Sequence, residues 1–184
     1  MSPIITKPSS KPYTASSLEQ VALRYAARYA TTRAKLNAYL QRKLAERGWD
    51  GEEPADVESL VERFSQRGYV NDVAFAETKA ASLLRRGYGG RRIEASLRAA
   101  GIDRDTADML RSTLNQSAGA AALAYARRRK LGPFSQKPQN SHEIRKSLAA
   151  MMRAGHELDV CLRILRAVDQ GGYPDDGSVS PDID

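Results

Sequence analysis

The residues in this sequence best suited to chemistry are its arginines. Arg85, Arg86, Arg91 and Arg92 flank a Tyr88-Gly89-Gly90 turn, with Arg98 further along. Arg127, Arg128, Arg129 and Lys130 form an unbroken basic run. Arg24, Arg28, Arg33 and Lys35 make a third group. A guanidinium presents a planar fork of donors that matches carboxylate and phosphate oxygens. Four like charges around one turn do not help folding, so the central group implies an anionic partner. The two glycines before Arg91 and Arg92 also suggest that exposed amides at a helix start join the guanidinium groups in an anion site. The second group lies at a helix end, where it would complement the helix dipole as well. Tyr25, Tyr29 and Tyr125 could stack on bases, although their helical spacing is that of core residues.

Catalytic sets are missing. The histidines are His142 and His156, and Cys161 is the single cysteine. His156 and Cys161 have no second pair to complete a metal shell. Cys161 reads as a small core residue, and a lone cysteine fits a reducing compartment. There is no Gly-x-Ser-x-Gly elbow, and no Gly-Lys-Ser/Thr follows the glycines to make a phosphate loop. Asp103, Asp105 and Asp108 open a helix, where they cap it and complement its dipole. The expectation is a non-enzyme with no cofactor and no metal.

The apolar pattern that must position the arginines has helical spacing throughout. Leu18, Val21, Ala22, Tyr25 and Tyr29 make a first stripe. Thr31-Thr32 break and recap the chain before Leu36, Tyr39, Leu40 and Leu44. Val57, Leu60, Val61 and Phe64 follow. Asn71 and Asp72 can cap a helix with Phe75, Ala76, Ala80, Leu83 and Leu84, stopped at Gly87. Ile93, Leu97 and Ala100 form the next, ended by Gly101, and Asp103 caps a helix with Ala107, Leu110 and Leu114. Ser117 opens a stripe of Ala120, Leu123, Ala124 and Leu131. Ser141 opens one of Ile144, Leu148 and Met152, ended by Gly155. Leu158, Cys161, Leu162, Leu165 and Val168 make the last.

These stripes group in threes. The second helix of each group ends at Gly48, Gly101 or Gly155, an internal period of roughly 53 to 54 residues. Within it Leu36 and Leu40 match Ile93 and Leu97, which match Ile144 and Leu148. The predicted fold class is all-α: three tandem three-helix repeats over residues 18–70, 71–115 and 116–170. Stacked repeats of this kind predict an elongated monomer. Residues 1–17 read as a flexible leader and 171–184 as an acidic disordered tail, with 132–140 as the longest internal loop. Removing leader and tail leaves 27 basic against 18 acidic residues, an excess that favours a polyanion. The tail carries Asp175, Asp176, Asp182 and Asp184 and could fold back on the basic surface. No apolar run of eighteen residues is present, so no membrane span is expected.

Gly68 to Asp72 (GYVND), Phe75-Ala76 and Arg85 to Ile93 (RRGYGGRRI), with a glycine eight residues beyond that isoleucine, resemble the RecX family. So does Ala22 to Leu36 (ALRYAARYATTRAKL), and the likeness extends over roughly Leu18 to Val168. The resemblance implies a small cytoplasmic bacterial regulator that binds the recombinase RecA and its single-stranded DNA filament. It usually inhibits RecA, within recombination, DNA repair and the SOS response. It also implies a curved body of helical repeats, and leaves direct contact with DNA open. The sequence departs from the pattern in an extra turn before Gly48, in the 132–140 loop, and in His156, whose counterparts Trp49 and Ile102 are apolar. The rival class is a stand-alone helix-turn-helix DNA-binding protein, but no helix offers a base-reading set of Asn, Gln and Arg.

Overall fold

A computed structural model describes residues 11–136 and 140–166. Ten α-helices and one 3₁₀ turn make up the described residues, together with a single isolated bridge between Tyr13 and Trp49. The predicted all-helical class is what forms. The described chain divides into two compact units. One comprises residues up to Thr78 and Leu97–Ala107; the other comprises Lys79–Ser96 and residues from Asp108 onward.

The first unit is built on α1 (Ala15–Arg28), α2 (Arg33–Arg47) and α3 (Val57–Gln66). Leu18, Ala22, Leu36, Leu40, Val57, Leu60, Val61, Phe64 and Val70 form its core. Each large apolar side chain taken from water there contributes roughly 1.5–3 kcal/mol. Tyr13 joins this core at 4% exposure. Its backbone pairs with Gly48 and Asp50, at 3.0 and 2.9 Å. Thr14 caps α1 in a reciprocal capping box with Ser17. Residues 11–17, read as the end of a flexible leader, therefore belong to the folded unit. A buried aromatic ring and a cap fix them. Trp49 packs against the same core, and its indole N–H donates to the Glu53 carbonyl at 2.7 Å.

Helix α4 (Asp72–Arg85) begins in the first unit and ends in the second; α5 (Gly90–Ala99) runs the other way. Asn71 caps α4 through the Ala74 amide. Asp103 caps the next helix through Thr106, whose hydrogen bonds hold the carboxyl below the usual carboxylate range. That next stretch is two short helices, α6 (Arg104–Met109) and α7 (Arg111–Gln116), rather than one.

The second unit adds α8 (Ala118–Arg129), the turn Gly132–Phe134, α9 (Ser141–Arg153) and α10 (Leu158–Arg166). Its core is Ala122, Tyr125, Ala126, Met151, Ala154, Val160, Cys161, Ile164 and Leu165. Several expectations need correction here. Ser117 makes no side-chain cap, since its backbone is already helical. Asn140, not Ser141, caps α9, accepting from the His142 and Glu143 amides. Helix α8 buries Ala121, Ala122, Tyr125 and Ala126, while Ala120 and Ala124 face solvent. Helix α9 buries Ser147 and Met151; Ile144 and Met152 are exposed. The residues equivalent to Ile93 and Leu97, eight and four before the closing glycine, are thus Ser147 and Met151. In α10 the buried stripe is Val160, Cys161, Ile164 and Leu165, and Leu158 is exposed. Val168, the acidic tail, most of the leader and part of the 132–140 loop lie outside the described residues.

Candidate polyanion interface

The central arginines stand where the α4–α5 turn of the second unit meets the end of α9. That meeting is backbone against backbone. The Gly89 N–H donates to the Ala154 carbonyl at 2.9 Å, and the Arg91 N–H to the Gly155 carbonyl at 3.2 Å. A Cβ on Gly89 would overlap the Gly155 carbonyl, and one on Gly155 would overlap the Arg92 backbone. Gly155 also holds φ +91°, a left-handed conformation that glycine tolerates best. Beneath the turn His156 is 2% exposed, and its Nε2–H donates to the Gly87 carbonyl at 3.1 Å. Burial lowers its pKa, so the ring is held neutral; the Gly87 bond opposes this more weakly.

This geometry revises the anion site expected at the start of α5. The amides of Gly89 and Arg91 are already taken by the end of α9. The Arg91 guanidinium is taken as well: its Nε and Nη2 grip the Glu157 carboxylate at 2.7 and 2.6 Å. Glu157 is 66 residues away in sequence, so local sequence gives no sign of this pair. Arg85, Arg86 and Arg92 remain exposed. Arg86 and Arg92 lie over the Tyr88 ring, at 5.2 and 4.7 Å from its centre.

The second basic group splits. Arg127 lies over Phe134, 5.3 Å from the ring centre. Lys130 ends α8 in a left-handed conformation. Arg128 lies over Tyr125 at 5.7 Å, and it turns with Arg129 towards Arg92. Together these residues line a cleft of about 390 Å³: Arg92, Arg128, Arg129 and Arg153, with Tyr88 and Tyr125. Four guanidinium groups line it and no carboxylate does. The sequence does not single out Arg153, which stands alone as the basic residue in the last turn of α9. Two helices, α8 and α9, end near the cleft, and their negative dipole ends favour some of this positive charge. Tyr125 is buried, with its hydroxyl 3.4 Å from the Ala150 carbonyl, so it is a wall rather than an open stacking face.

In the third group Arg33 and Lys35 are engaged by other side chains. The Arg33 guanidinium pairs with Glu62 at 2.7 Å, and Lys35 sits 4.6 Å from the centre of the Phe75 ring. Arg24 reaches Gln20 at 3.4 Å, and Arg28 lies over Tyr29 at 5.5 Å. Cys161 is a core residue, its thiol pushed up to about 11 by burial. Among the described residues no three His, Cys, Asp or Glu side chains could hold a metal together, and no helix is long and apolar enough to cross a membrane.

Residues 71–109 match the family model described as RecX, second three-helix domain. The chain is 35% identical over 156 residues to a protein of Myxococcus xanthus named regulatory protein RecX, covering 80% of this chain and 83% of that one. A protein of the same name from Thermobifida fusca is 30% identical over 148 residues, with 79% and 75% covered. The crystal structure of RecX from Lactobacillus salivarius superposes with a TM-score of 0.68 at 18% identity, over 84% of this chain and 96% of that one. The structural match supports the fold, and the first relative's identity along most of both chains supports more: this chain belongs to the RecX family of regulatory proteins.

Proposed function

We propose that this chain regulates RecA by binding RecA and its single-stranded DNA filament, and that the arginine cleft of the second unit is its anion-binding contact. The observation that carries the reading is the cleft's composition: four arginines, two tyrosine rings and no carboxylate. Such a set gains from anionic oxygens, because each guanidinium can form charge-assisted hydrogen bonds that water only partly replaces. The oxygens are either phosphates of the strand or carboxylates of RecA. The chain works by occupying the filament and restraining its growth or ATP turnover, not by catalysis.

The test is single-strand-dependent ATP hydrolysis by the matching RecA, with Arg92→Glu and Arg128→Glu combined in one variant. Both side chains are exposed, so the fold should survive. Most of the effect on RecA should disappear. A folded variant with full effect removes the cleft from the proposal. Salt dependence tells the two anions apart. Losing two phosphate contacts should lower the log–log slope of single-strand binding by about 1.4; loss of RecA carboxylate contacts leaves that slope unchanged. Arg91 is a poorer choice, because Arg91→Glu would set a carboxylate against Glu157.

A further inference from the structure

The first unit carries a second feature that the cleft does not explain. Tyr25, Tyr29 and Tyr39 form one continuous run of rings. Tyr25 and Tyr39 are stacked, with centres 4.1 Å apart and planes 15° from parallel. Tyr29 leans on Tyr25 at 5.3 Å and 51°. Tyr25 and Tyr39 rest on the core of the unit, but Tyr29 is 48% exposed, against the sequence expectation that it belongs to the core stripe. None of the three hydroxyls makes a hydrogen bond to another described residue. Packing alone would be served by leucine or phenylalanine here; a phenol keeps a wet edge on an apolar ring.

Cations sit at both ends of the run. Arg28 lies over Tyr29 at 5.5 Å, while Arg42 and Lys43 lie 5.4 and 5.8 Å from the Tyr39 centre. Arg42 and Lys43 share Glu46, so their charge is partly offset. Arg24, one turn before Arg28, contacts only the neutral Gln20, and no carboxylate pairs with Arg24 or Arg28 among the described residues. The result is a stack of two rings with a third, exposed ring tilted against it, and an unbalanced positive end.

We infer that the Tyr25–Tyr29–Tyr39 run is a stacking platform for an unpaired base of a single-stranded nucleic acid, with Arg24 and Arg28 holding the adjoining phosphates. A base offers a flat π face for the exposed Tyr29 ring, and the cations track the backbone. A duplex would keep its bases stacked on each other and offer Tyr29 no face. The inference rests on the nucleic-acid side of the function proposed above but not on RecA, nor on the cleft.

The test uses the full chain without RecA. A labelled oligomer of thymidylate is titrated beside an abasic oligomer of equal length, with binding followed by fluorescence anisotropy. The unchanged chain should prefer the oligomer with bases. Tyr29→Ala should weaken that binding by roughly five- to a hundred-fold and barely alter abasic binding. Tyr29→Phe should restore it, whereas Arg28→Gln should weaken both ligands. A uridylate oligomer shows whether the platform accepts RNA as well as DNA. Fluorescence of Trp49, in the same unit, checks that each variant is folded. Equal binding of the two oligomers by the unchanged chain overturns the inference. So does undiminished thymidylate binding by folded Tyr29→Ala, or competition by polyglutamate as strong as that by thymidylate. RecA is absent, so base-dependent binding without any effect on RecA ATP hydrolysis would defeat the RecA reading alone.

Discussion

Each compact unit contains one joint in which the end of a helix docks on the start of another, and the two joints are built differently. In the first, Ala100 and Gly101 at the end of α5 meet the start of α2. The Thr32 hydroxyl donates to the Ala100 carbonyl at 2.6 Å and accepts from the Lys35 amide at 3.2 Å. The first amide of α2, that of Arg33, is satisfied by the Asp72 carboxylate at 2.9 Å. In the second, Ala154 and Gly155 at the end of α9 meet the start of α5, and the backbones bond directly. Ala154 and Gly155 lie 54 positions beyond Ala100 and Gly101, so one docking scheme recurs with different parts. Both joints need a glycine for close approach, Gly101 against Ala34 in the first and Gly89 and Gly155 in the second. Side-chain hydrogen bonds mediate the first joint, and direct backbone bonds the second. The direct joint draws Arg92 beside Arg128, Arg129 and Arg153, and the cleft depends on it.

The comparison breaks most sharply at Gly155. Gly155→Ala adds a Cβ against the Arg92 backbone and asks alanine to hold φ +91°. The strained conformation alone costs roughly 1–2 kcal/mol. Overpacking adds about 1–3 kcal/mol. The second joint should open, and hydrogen exchange at the Gly89 and Arg91 amides should accelerate by orders of magnitude. Protection unchanged at those amides would mean that the joint tolerates a side chain.

Thr32→Val is the matching change in the first joint, and its effect should be smaller. It keeps the shape, removes a cap and leaves the buried Ala100 carbonyl without its donor. The expected cost is about 1–3 kcal/mol, read by urea unfolding through Trp49 fluorescence. Thr32→Ser should recover most of it. A Val variant as stable as the parent would show that the hydroxyl bridge contributes nothing and that packing alone holds this joint.

How far these joints could be read from sequence follows from their parts. The closing glycines and their period are visible because a left-handed helix end selects glycine locally. Most helical stripes are visible because their apolar spacing is also a local property of the chain. What joins distant segments is not. Asp72 looks like a cap for its own helix, yet it caps α2. Arg91 looks unpaired because Glu157 approaches only when α9 docks. Arg153 has no basic neighbour in sequence, and its place in the cleft depends on the Gly89–Ala154 contact. The α9 stripe departs from its apolar sequence pattern for a different reason. Ile144 and Met152 are more apolar than Ser147, so composition outvoted register. Counting back eight and four residues from Gly155, as from Gly101, would have given Ser147 and Met151. The cation groups teach a related lesson. Arg33 and Lys35 are as basic as Arg128 and Arg129 in sequence, but Glu62 and Phe75 engage them.

The smallest expected effect sharpens the comparison through pH. The second joint has a histidine under it, whereas the first, built on Thr32 and the Asp72 carboxylate, has no group that titrates near pH 6. His156 is buried beside the Tyr125 ring, 5.5 Å between centres, and donates to Gly87. Burial disfavours the imidazolium, so the folded pKa lies below the ordinary 6.5. Above that value neither state binds the proton and stability is independent of this group. As pH falls below 6.5 the unfolded chain takes up a proton that the folded chain refuses, and stability drops. The loss levels off once the pH passes below the folded pKa. Unfolding in this window should therefore take up at most one proton through this residue. Asp56 and Asp103, held low by their capping bonds, contribute separately at more acidic pH. His156→Gln keeps an N–H donor and cannot titrate, so it should flatten the profile between about pH 6.5 and 5. Exchange at the Gly89 amide, measured across that range and corrected for its intrinsic pH dependence, should show the step in the parent chain and not in the variant. The same step surviving in the variant would place its origin elsewhere than under the second joint.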